Sequence, residues 1–84
     1  MKIFNPATGA ELADVTADNA KAVAAKYKRA RAAQPAWAKR PLRHRLAVIT
    51  KFRALVLSRI DELARTLTQE VGKPIRQSRN ELNG

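Results

Sequence analysis

The stretch "LRHRLAVITKFRALVLSRIDELARTL", Leu42 to Leu67, decides how this chain folds. Its apolar residues Leu46, Ile49, Phe52, Val56, Ile60, Leu63 and Leu67 recur three and four positions apart over about six turns, the period of one helix face. Leu42, Leu55 and Leu57 widen that stripe. The spacing predicts a helix over 41–71, opened by Pro41, whose missing N–H costs nothing at a first helical position. "SRIDE", Ser58 to Glu62, allows a break within it, with Ser58 as a new N-cap and Asp61 three positions on. Gly72 suits a left-handed C-cap, Pro74 blocks continuation, and "PIRQSRNELN" begins a third helix over about 74–83.

Working outward toward the N-terminus, an alanine-rich segment predicts a helix over 17–34. Thr16 is its expected cap, with Asn19 where a capping box has Glu or Gln. Its buried face is read as Ala20, Val23, Ala24, Tyr27 and Ala30, a thin stripe that needs a close neighbour. Pro35 is expected to end this helix, leaving Trp37 in a "QPAWAKRP" connection where it plugs a gap between helices. Before it, Ile3-Phe4 and Leu12 to Val15 flank "NPATG", Asn5 to Gly9. That pattern predicts a β-hairpin over 3–15, with Asn5 bonding a nearby backbone N–H and Gly9 supplying a positive φ. The expected fold is mainly α: a short N-terminal hairpin, two long helices and the start of a third. Two strands alone are not stable in water, and the last helix stops before completing a face, so the pattern is that of one part of a larger body.

Composition narrows the chemistry. The 84 residues contain no cysteine, which removes disulfides, thiolate metal sites and a cysteine nucleophile from this chain. Seventeen Lys and Arg against seven Asp and Glu leave a formal charge of +10, enough to attract polyanions. The basic residues are spread along helical faces with little aromatic interleaving, so no specific nucleic-acid partner is expected. No apolar run has the length of a membrane span and "MKIFNPATG" has no signal-peptide core, so a cytoplasmic protein without a membrane partner is expected. His44, the only histidine, has no second ligand at a useful spacing, so no metal site is assigned.

"NPATG", then a helix ending in "RARAAQPAW", then "RLAVITKFRALVLSRIDELARTLTQEVGKP" together resemble the N-terminal segment of the aldehyde dehydrogenase superfamily. Members carry N-P-x-T-G, an A-x-P-x-W-like stretch and E-x-G-K-P in this order. The residues here that carry the likeness are Asn5, Pro6, Thr8, Gly9, Trp37, Glu70, Gly72, Lys73 and Pro74. The resemblance implies a fragment of an α/β fold ending before the catalytic region. It implies a parent that oxidises an aldehyde through a cysteine thioester, passes hydride to NAD or NADP, and hydrolyses the thioester with a glutamate base. No catalytic, cofactor-binding or metal-binding residue is assigned within these 84, and Glu70 and Lys73 are read as parts of a helix-ending turn rather than as catalytic groups. The expected partner is the remainder of the parent, or a second copy through the apolar face of the 41–71 helix. A small basic self-associating or nucleic-acid-binding protein is the alternative.

Overall fold

The computed structural model describes residues 1–84 and divides them into two units, Met1–Val15 with Phe52–Gly84, and Thr16–Lys51. In the first, β1 (Lys2–Phe4) pairs antiparallel with β2 (Glu11–Asp14). Lys2 stands opposite Asp14 and Ile3 opposite Ala13, and then a bulge sets Phe4 opposite Glu11, leaving Leu12 as the extra residue. Ion pairs staple both ends of this short ladder: the N-terminal ammonium reaches Asp14 at 2.9 Å and Lys2 reaches Glu11 at 2.7 Å.

The connecting turn is made by "NPATG". Asn5 Oδ1 accepts from the Ala7 N–H at 2.9 Å, the Gly9 N–H donates to the Asn5 carbonyl at 2.8 Å, and Thr8 Oγ1 accepts from the Ala10 N–H at 3.3 Å. Gly9 has φ 74°, a conformation that glycine adopts without the Cβ penalty.

Four helices follow: α1 (Ala20–Ala38), α2 (Leu42–Ser58), α3 (Ile60–Val71) and α4 (Ile75–Asn83). Several expected boundaries are corrected. The first helix is capped by Asn19 rather than Thr16, because Asn19 Oδ1 accepts the Ala22 N–H at 2.9 Å. Pro35 does not end it. A proline φ is already helical, so close to a C-terminus only one backbone bond is lost and the chain completes another turn to Ala38. Trp37 therefore lies in the last turn of α1 rather than in a connection, at 39% exposure. Pro41 falls one position earlier than expected, its carbonyl accepting from the His44 and Arg45 N–H groups ahead of α2.

The expected helix over 41–71 is two helices, broken where "SRIDE" allowed it but by a different device. Ser58 Oγ donates back to the Leu55 carbonyl at 2.8 Å, so it closes α2 instead of capping α3. Arg59 occupies the N-cap of α3 at φ −115°, ψ 18° with no side-chain cap. Asp61 and Glu62 fill the first turn, where carboxylates complement the unpaired N–H groups.

The core is small and lies between α3 and α4. Ala64 and Ser78 are fully buried, and Ile60, Leu63, Leu67 and Leu82 are half-buried around them. α3 and α4 both separate apolar from polar faces, whereas α1 and α2 hardly do. This corrects the expected core. Leu46, Ile49 and Phe52 are 55–63% exposed, and the alanine stripe of α1 is not buried at all. Within Thr16–Lys51 no residue is buried, and only Ala22 and Arg45 are half-buried.

Candidate functional site

The motif residues separated by most of the chain meet in the first unit. α3 ends at Gly72 with φ 73°, its N–H donating to the Thr68 carbonyl at 2.9 Å, and this left-handed cap turns the chain through Lys73 and Pro74 into α4. A Cβ added at Gly72 would stand 2.9 Å from Pro6 Cγ, closer than real Cβ contacts allow. Pro6 of "NPATG" thus rests on the bare Cα of the glycine in "EVGKP". Glycine is required there twice over, by its φ and by the proline ring.

Around that junction the polar side chains find partners. Thr68 Oγ1 and Ser78 Oγ lie 2.8 Å apart, joining α3 to α4. Lys73, whose side chain is 21% exposed, pairs with Glu81, and Arg79 pairs with Asp61 at 2.7 Å. Pro74 is the N-cap of α4, its carbonyl accepting from Gln77 and Ser78. Glu70 is exposed on the last turn of α3 and joins none of these bonds.

Beside α3, Phe52, Leu55, Val56, Leu63 and Leu82 line an apolar hollow of about 430 Å³, with Arg59 at its edge. Phe52 and Leu55 are each 63% exposed, so the hollow lies open to solvent. Arg59 forms a forked pair with Glu62, Nε to Oε2 at 3.0 Å and Nη2 to Oε1 at 2.6 Å. That hydrogen bonding, and then the opposite charge, holds the Glu62 carboxyl below its ordinary range and raises the Arg59 guanidinium. Both groups are open to water, which marks a structural pair rather than a tuned acid. No His, Cys, Asp or Glu side chains gather in threes to hold a metal.

The hollow has apolar walls and one arginine already paired, with no nucleophile and no general base. Its chemistry is that of a packing surface. Trp37 lies on α1, in the unit Thr16–Lys51. Sequence reading missed Ser78 and Ala64, the two fully buried residues. Their signal was present as small side chains on the inward faces of α3 and α4, but such residues look the same whether they face a neighbour or water.

Residues 1–84 match the family model described as "Aldehyde dehydrogenase family" from end to end. The chain belongs to the aldehyde dehydrogenase family, as the N-terminal motifs indicated. It is 38% identical over 80 residues to a "Probable succinate-semialdehyde dehydrogenase [NADP(+)]" of Sinorhizobium fredii, which covers 95% of this chain and 16% of that protein. It is 34% identical to a "Malonate-semialdehyde dehydrogenase" of Bacillus pumilus, again over 95% of this chain and 16% of the other. A third relative, an "N-succinylglutamate 5-semialdehyde dehydrogenase" of Chromobacterium violaceum, is 41% identical over 93% of this chain and 16% of its own length. The chain thus spans about a sixth of the length of the curated relatives it matches. No solved structure matches it significantly.

Proposed function

We propose that these residues are a structural segment of an NAD(P)-dependent semialdehyde dehydrogenase, and that they do no chemistry by themselves. The carrying observation is the family match over all 84 residues of a chain without cysteine. A family that works through a cysteine thioester must draw its nucleophile from residues outside this stretch. The relatives' names support an aldehyde whose far end carries a carboxylate. Its oxidation to an acid in the cytoplasm, with hydride passing to NAD or NADP, is part of the same proposal. The segment's role is mechanical: a hairpin locked onto the α3–α4 turn, and an exposed apolar helix face for the remainder of the enzyme.

The test is an assay of the isolated chain with succinate semialdehyde, malonate semialdehyde and each nicotinamide cofactor. No reduced cofactor should accumulate, and calorimetry should find no saturable binding of NAD or NADP at micromolar concentration. Turnover or tight cofactor binding by the 84 residues overturns the reading.

A second reading, self-association of the free chain, is favoured by the exposure of Leu46, Ile49, Phe52 and Leu55 on α2. Burial of that face between two copies gains roughly 25 cal/mol per Å², opposed by repulsion between chains of +10. Salt screens the repulsion over about 8–10 Å, so oligomers should strengthen from low to moderate salt. Sedimentation equilibrium reads this directly, and a monomer at every ionic strength and high concentration removes it.

A further inference from the structure

The unit Thr16–Lys51 has helices but no core. Its large apolar side chains Val23, Tyr27, Leu42, Leu46, Val48 and Ile49 are 50–65% exposed and Trp37 is 39% exposed, and none of its residues is buried. The same 36 residues carry ten Lys and Arg against one acid, Asp18, which pairs with Lys26. No Asp or Glu occurs between Asp18 and Asp61. Arg45 is half-buried, and its Nε is enclosed with no hydrogen-bond partner. Arg45 also lies in helical register with Leu42, Val48 and Ile49, so a charged residue is set among apolar ones on α2.

We propose that this unit is a docking surface for an apolar protein face studded with carboxylates, one of which takes the unpaired Arg45, and that the occupant is the body of the dehydrogenase itself. The inference rests on the function proposed above and adds the electrostatic character of the cover. Two helices without buried side chains gain little by meeting each other, so their apolar surface must be covered from outside. A second copy brings the same excess of positive charge to the contact and is the poorer occupant. Duplex nucleic acid offers charge without apolar surface. A lipid surface favours an apolar surface free of charge, which Arg45 interrupts, whereas a protein can set a carboxylate against the two outer nitrogens of a guanidinium. The relatives supply the candidate body, since this chain accounts for 16% of their length.

The experiment replaces the matching segment of the Sinorhizobium fredii protein with this chain and compares four chimeras: the unchanged chain, Arg45→Glu/Lys51→Glu, Leu46→Asp/Ile49→Asp, and Arg65→Glu/Arg76→Glu as a charge control on the other unit. Melting is followed by calorimetry from about 20 mM to about 500 mM NaCl, where screening lengths fall several-fold. The Arg45→Glu/Lys51→Glu chimera should melt well below the unchanged one at low salt, with the gap closing as salt rises. Leu46→Asp/Ile49→Asp should melt lower at every salt concentration, and the control should track the unchanged chimera. An active chimera whose melting ignores the reversal at Arg45 and Lys51 overturns the acidic cover and leaves the dehydrogenase reading standing. A chimera that never becomes soluble with the unchanged chain overturns both. Binding of the free chain to phosphatidylserine vesicles or duplex DNA in physiological salt, alongside a charge-indifferent chimera, reassigns the surface to that polyanion.

Discussion

Pro6 and Gly72, far apart in the chain, are in contact: the proline ring occupies the space where any side chain at Gly72 would begin. This single contact locks the hairpin turn onto the helix-ending turn between α3 and α4. It gives a physical reason for both motif residues, since the proline supplies a rigid ring and the glycine supplies the room and the left-handed φ.

The two left-handed glycines should therefore respond differently to the same change. Gly9 has nothing within 4 Å of an added Cβ, so Gly9→Ala should cost only the conformational penalty of ~1 kcal/mol. Gly72→Ala adds the collision with Pro6 and should cost about 2–4 kcal/mol. Thermal melts of the two variants decide it, and equal losses would mean that the Pro6 contact carries no weight.

Ser78 is fully buried, and its hydroxyl meets that of Thr68. Ser78→Val should leave the Thr68 hydroxyl without its partner and destabilise by about 1–3 kcal/mol. Adding Thr68→Val should recover part of that loss, because two apolar neighbours leave nothing unsatisfied. Denaturant titration of the two singles and the double measures the coupling, and strict additivity argues against the bond.

Side-chain size should matter on α3 and hardly at all at the exposed end of the apolar stripe. Phe52 is 63% exposed, so Phe52→Ala should change stability by no more than about 0.5 kcal/mol. Ala64 is fully buried, and Ala64→Leu should cost about 1–3 kcal/mol by overpacking. The reverse ranking in chemical denaturation would place the core on α2.

Acid should loosen the start of α3. The hydrogen bonds and charge of Arg59 depress the folded Glu62 carboxyl, so its contribution is fully present above the ordinary carboxylate range and is lost as pH falls through the depressed value. Glu62→Gln should flatten that part of the acid titration, followed by circular dichroism, while leaving the neutral-pH signal nearly unchanged, since the pair is exposed to water. An unaltered acid limb in Glu62→Gln would show that the pair has no role in holding the turn.

Period and turn chemistry settled what is local in this protein. The three- and four-residue spacing from Leu46 to Leu67, the positive φ at Gly9 and Gly72, and the break tolerated near Ser58 are all consequences of neighbours in sequence, and they were legible there. The order of motifs from "NPATG" to "EVGKP" was legible too, and with it the family. Caps were less so: Thr16 and Asn19 are both good N-caps, and which one takes the role depends on where the first turn finds its bonds. Pro35 misled because a proline close to a helix end removes one bond without reversing the chain. Burial was not legible at all. Leu46 and Leu63 belong to one apolar stripe, yet one is exposed and the other half-buried, because only α3 has a partner helix, joined to it at Thr68 and Ser78. A sequence states which face is apolar, and tertiary structure alone decides what meets that face, since burial belongs to a pair of surfaces and not to a residue.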